Sequence, residues 1–149
     1  YARWLNELAE GARLRDYDSF EDLARRLRKN NPRLTEERAR FLAQHWGVAG
    51  SSGRIGLRGD PAHKIVNPIL YQLEEARACW RNVTAPVLWI EGRETESPNY
   101  MKLGRDEIVA RKACFKRLTE HTIDNAGHML HHDQPEVLAQ RLEEFLLAT

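Results

Sequence analysis

Long apolar runs are missing from this chain. None approaches the about 20 consecutive residues that a helix needs to cross a bilayer, so no membrane-spanning segment is expected. Cysteine is nearly absent: Cys79 and Cys114 are the two in 149 residues. They fall in different predicted helices without C-x-x-C spacing, which reads as reduced thiols in a cytoplasmic protein rather than a disulfide framework. An excess of either charge is missing too, the formal net charge being +1. Composition therefore gives no reason to expect nucleic acid or a membrane surface as partner. The opening Tyr1-Ala2-Arg3-Trp4 has neither an initiator methionine nor a signal-peptide layout. Internal repeats and low-complexity tracts are lacking as well.

What is present suits a soluble globular protein long enough for a real core. Residues 3 to about 14 read as a helix with Trp4, Leu5, Leu8 and Ala12 on one face. Ser19 caps a second helix whose apolar stripe is Phe20, Leu23, Ala24 and Leu27, and Asn30-Asn31-Pro32 ends it. Thr35 caps a third, through Ala39, Phe41, Leu42, Ala43 and Trp46. The arginines between these positions (Arg25, Arg26, Arg28, Arg38, Arg40) read as a solvated face. Glu21, Asp22, Glu36 and Glu37 interleave with them, against a nucleic-acid patch. Gly47 to Gly59, rich in glycine and serine, reads as a loop or short irregular hairpin. Asn67-Pro68 leads into a fourth helix with Leu70, Tyr71, Leu73, Ala76, Ala78 and Trp80.

Beyond about residue 84 the pattern changes. Pro86 to Glu91 holds the continuous apolar run Val87-Leu88-Trp89-Ile90, which suits a strand buried on both faces of a parallel sheet. A polar loop from Gly92 to Tyr100 follows, then a helix over about 104–118 with Ile108, Val109, Ala113 and Leu118 inward. His121 to Ile123 reads as a second strand. It leads into a small-residue turn with one histidine, Asp124-Asn125-Ala126-Gly127-His128. A terminal helix begins at Pro135, where proline suits the first helical position, and Asp133 with Glu136 has capping-box spacing. Val137, Leu138, Leu142, Phe145 and Leu146 then recur at helical period.

Gly127-His128 before a Gln-Pro-Glu helix start resembles the catalytic-histidine segment near the C-terminus of α/β-hydrolases. Ala85-Pro86-Val87-Leu88-Trp89-Ile90-Glu91-Gly92 looks like the late core strand that precedes it in that fold. The resemblance covers roughly the last 65 residues. It implies an α/β class with a partial hydrolase core over 85–149, preceded by a helical segment over 1–84 similar to the later portion of a cap. His128 would then be the general base. It would take a proton from the nucleophile, or activate the water that hydrolyses an ester on an aspartate nucleophile. A buried loop histidine bonded to backbone is the structural alternative.

The family's nucleophile sits in a G-x-S-x-G elbow that precedes the histidine in the chain. Here the serines are 19, 51, 52 and 97. Gly50-Ser51-Ser52-Gly53 has neither the spacing nor a preceding apolar strand, so the nucleophile is expected outside this chain. The family's acid commonly lies three positions past the glycine that ends the strand. Counted from Gly92 that is Thr95, and Glu94 and Glu96, which flank it, are the candidates; both could equally be solvated loop carboxylates. The spacing of His128, His131 and His132 invites a metal reading, but Pro135 starts the helix after them and no further ligand set accompanies them. His131, His132 and Asp133 are expected to flank the site or cap the helix. Trp46, Tyr71, Trp80 and Trp89 could line a pocket but read first as core, and His63 is a candidate cap residue.

The resulting expectation is cofactor-independent hydrolysis of a small-molecule ester or related bond. The partners would be that substrate and either a missing N-terminal half or a second copy, because two parallel strands alone leave sheet edges and apolar faces uncovered. A non-catalytic remnant or interaction module is the alternative from a different class.

Overall fold

The computed structural model describes residues 1–96 and 103–148. They fall into two compact units, Tyr1–Tyr71 and Gln72–Thr149. The fourth helix, expected with the helical segment before residue 84, is grouped with the strands. Among the described residues no helix is long and apolar enough to cross a membrane.

The first unit contains α1 (Ala2–Glu10), α2 (Phe20–Asn30), α3 (Glu36–Trp46), β1 (Gly47–Ala49) and β2 (Ile55–Leu57). Helix α1 stops earlier than its apolar pattern suggested, because Gly11 takes φ 73°, a left-handed conformation that a helix cannot continue through. The two expected caps are in place. Ser19 Oγ accepts the Asp22 N–H at 3.1 Å, and Thr35 Oγ1 accepts the Arg38 N–H at 3.2 Å. Helices α2 and α3 pack around Leu23, Ala24, Ala39 and Ala43, joined by Ile55 from β2. The small alanines let the backbones approach, and Leu23 fills the space between them. Gly47–Ala49 and Ile55–Leu57 form an antiparallel hairpin, so the glycine- and serine-rich stretch is the turn of a hairpin rather than a plain loop.

The second unit runs α4 (Leu73–Arg81), β3 (Val87–Gly92), α5 (Arg105–Lys112), β4 (Leu118–Ile123), a short α6 (Leu130–Asp133) and α7 (Pro135–Leu147). Helix α4 begins later than expected. Asn67 Oδ1 accepts the Ile69 N–H at 2.9 Å, an Asx-type turn that competes with helix around Pro68. Leu70 and Tyr71 therefore precede the helix and are exposed.

Strands β3 and β4 pair in parallel from Val87↔Leu118 to Gly92↔Ile123. Leu118 thus belongs to the strand and not, as its spacing suggested, to the preceding helix. The Val87 N–H bonds the Arg117 carbonyl at 2.8 Å, and the need to pair all of β3 outweighs a local helical pattern. Helix α5 covers one sheet face, where Lys112 Nζ lies 2.6 Å from Glu120 and 3.4 Å from Glu91. Helix α7 contacts β4, and hydrogen bonds from Arg141 and Gln140 hold its Glu144 carboxylate below the ordinary range. Among the described residues no strand pairs with the second edge of β3, and Val87, Leu88, Trp89 and Ile90 are only half-buried. The polar loop after Gly92 is described to Glu96, and the rest of it, with Ser97, lies outside the described residues.

Candidate active site

The C-terminal ends of the two parallel strands meet at one turn. Strand β4 ends on the buried Ile123, and Ala126 is fully buried three residues on. Between them Asn125 adopts φ 53°, a left-handed value that asparagine tolerates better than most residues. The chain leaving β3 supplies donors to this turn: the Arg93 N–H to the Ile123 carbonyl at 2.9 Å and the Glu94 N–H to the Ala126 carbonyl at 3.0 Å. Arg93 and Asp124 add an exposed ion pair.

Gly92 makes this approach possible. A Cβ there would stand 2.3 Å from the Ala126 carbonyl oxygen and 2.4 Å from that of Gly127. On the downstream side, Asp133 Oδ2 accepts the Gly127 N–H at 2.8 Å. Asp133, whose spacing with Glu136 suggested a capping box, stands one position before the helix N-cap. The N-cap is Gln134, without a side-chain cap bond, while Pro135 does occupy the first turn. Helix α6 turns the chain so that the Asp133 carboxylate is buried against the turn.

His128 follows Gly127 and is exposed, so a buried histidine bonded to backbone is not what the structure has. It lines a cleft of about 210 Å³ whose other walls include Trp89, Ile108, Arg111 and Leu130. Thr95 lines that cleft, whereas Glu94 and Glu96 are both exposed on the loop after β3. Glu91 also lines it, its carboxylate engaged by Trp89 Nε1 at 3.1 Å and by Lys112. The rings of His131 and His132 are 4.1 Å apart. Burial, and then the charge of His131, hold His132 below the ordinary histidine range, with Asp133 opposing. Among the described residues no group of three His, Cys, Asp or Glu side chains is placed to hold a metal ion.

The remaining sequence candidates lie as follows. Trp89 is a cleft wall, and Trp80 packs near Phe115 with ring centroids 6.0 Å apart. Trp46 and Tyr71 are exposed in the first unit. His63 sits there on an exposed 3₁₀ turn, Pro61–Lys64. Ser51 and Ser52 occupy the hairpin turn between β1 and β2, closed by the Gly53 N–H on the Gly50 carbonyl at 3.0 Å, and not a strand-to-helix elbow. Sequence reasoning placed Asp133 at the flank of the site or at the helix start, but missed Gly92 and the bond by which Asp133 braces the turn. Only the carboxylate's position five residues past the histidine, short of the proline, could have pointed to that bond.

An exposed imidazole on a turn braced from both sides, at the ends of parallel strands, can accept and return a proton for a group brought to the cleft mouth. No protein-family model matches the sequence, and no curated protein matches it. Solved structures do. A protein of Pseudomonas aeruginosa PAO1 superposes with TM-score 0.77 at 17% identity, over 98% of this chain and 51% of that one. An esterase from Mycobacterium tuberculosis gives TM-score 0.73 at 16% identity, over 97% and 46%. An α/β-hydrolase from Novosphingobium aromaticivorans gives 0.62 at 21% identity, over 94% and 51%. The chain spans about half the length of the structures it matches. It has the fold of the C-terminal half of the α/β-hydrolases.

Proposed function

We propose that this chain supplies the general base, His128, of a hydrolase acting on a small-molecule ester or related bond, with the nucleophile on residues outside it. The observation that carries this reading is the exposed His128 on a doubly braced turn, at the rim of an apolar cleft. In the proposed reaction the imidazole takes the proton of the attacking hydroxyl or water and returns it to the leaving group. Glu94 or Glu96 would orient the imidazole from the loop after β3. The chemistry calls for no cofactor. The complementary half of the fold would pair with the open edge of β3 and cover its half-buried apolar residues; a second copy is the other candidate for that place. The two free cysteines fit a reducing compartment, the cytoplasm.

The test is hydrolysis of a panel of p-nitrophenyl esters by the full-length protein. Replacing His128 by alanine should lower kcat by about 10³-fold, within the range of general acid–base contributions. Glu94→Gln and Glu96→Gln, made singly, identify the acid by the larger loss. Turnover that survives His128→Ala refutes the assignment. A wild-type protein inactive on every ester favours a non-catalytic remnant or a substrate outside the panel.

A further inference from the structure

Asp133 is the buried charged side chain among the described residues, at 4% exposure. A carboxylate loses its hydration on burial, so a fold retains one where hydrogen bonds replace the lost water. Here one replacement is the Gly127 N–H, 2.8 Å from Oδ2, on the residue directly before His128. The route back is short. Met129 accepts the His132 and Asp133 N–H groups at 2.8 and 3.1 Å, and this single turn of helix returns the carboxylate to Gly127. The bonds from the β3 side reach Ile123 and Ala126, upstream of the histidine. The Asp133 bond lies nearer to it.

We propose that Asp133 is the positioning residue for His128: its buried carboxylate fixes the Gly127 peptide and so the direction in which the imidazole leaves the turn. The catalytic half of this proposal rests on His128 as base, whereas the tether itself does not. Asp133 touches no reacting atom in this scheme; it acts through the backbone.

The test uses the full-length protein with p-nitrophenyl butyrate and amide hydrogen exchange at Gly127. In Asp133→Ala, Gly127 should exchange at least about tenfold faster, and kcat should fall about 10- to 100-fold, the scale of an ångström-sized misplacement. KM should stay within about twofold, because the cleft walls are untouched. Asp133→Asn keeps an acceptor oxygen and should recover kcat to within about threefold, a neutral acceptor being weaker than a charged one. Unchanged Gly127 protection in Asp133→Ala refutes the tether. Lost protection with unchanged kcat refutes the positioning. If Asp133→Ala does not fold, the wild type decides: a Gly127 amide exchanging as fast as exposed turn amides overturns the proposal. Hydrolysis that survives His128→Ala refutes the base reading and the catalytic half of this proposal, while the exchange data still decide the tether.

Discussion

Gly92→Ala is the substitution that most directly probes how the histidine turn is built. The added Cβ would lie 2.3 Å from the Ala126 carbonyl oxygen, 2.4 Å from the Gly127 oxygen and 2.7 Å from the Ala126 carbonyl carbon. A relaxed carbon–oxygen contact is about 3.3–3.6 Å, so the turn or the strand end must move by about 1 Å. All three atoms are backbone, and no rotamer change relieves the clash. The same turn is held by N–H groups of Arg93 and Glu94 and by the Asp133 carboxylate, so movement strains those bonds as well. Overpacking of this kind costs about 1–3 kcal/mol, and a weakened hydrogen bond adds about 1 kcal/mol. A loss of about 3 kcal/mol corresponds to roughly 6–12 °C in melting temperature for a chain of this size. Ester turnover should fall about 10²-fold with the displaced histidine. Gly104→Ala is the control. Gly104 has nothing within 4 Å of the added Cβ, and its φ is −69°, so no clash opposes the change and its cost is that of alanine at an N-cap, about 0.5–1 kcal/mol. Thermal unfolding by circular dichroism and the ester assay on both variants give the comparison. Equal melting temperatures for Gly92→Ala and Gly104→Ala would refute the close-approach argument.

Two further outcomes are expected from the packing and the titrating groups. Leu23→Ala empties the largest fully buried side-chain position and should destabilise the first unit by about 2–5 kcal/mol, read by urea unfolding; a cost below about 1 kcal/mol would mean that α2 and α3 collapse into the cavity. His132, held low by burial and by His131, favours the neutral form in the fold, so the unfolded chain binds its proton more readily. Its contribution to stability is then complete above about pH 6.5 and is lost as the pH falls through the lower folded-state value. His132→Gln should flatten the melting temperature between about pH 7.5 and 5, and an unchanged slope would assign the pH dependence to other groups.

Several elements were legible because their causes are local. Ser19 and Thr35 cap helices whose accepting and donating atoms lie three residues apart. Pro135 opens the terminal helix, and the unbroken apolar run at Val87 marks a parallel strand. Gly127-His128 between that second strand and that helix was enough to place the histidine on a turn. The failures share the opposite property. Leu118 has helical spacing with Ile108 and Ala113 but pairs with Val87 across the sheet. Leu70 and Tyr71 fit a helix that an Asx-type turn at Asn67 delays.

Asp133 shows the same division within the site. By itself the sequence determined a helix start, and a carboxylate before proline is read most simply as its cap. In the tertiary structure helix α6 turns that carboxylate onto Gly127, whose buried N–H finds its partner there. Gly92 likewise reads as the end of a strand, and only the folded chain brings the Ala126 and Gly127 carbonyls against it. Sequence determined the helices, the buried-type strand and the histidine on its loop, because periodicity and capping act within a few residues. Tertiary structure decided the strand register, the bracing of the turn and the exposure of His128. Those depend on groups far apart in the chain competing for the same space and the same hydrogen bonds.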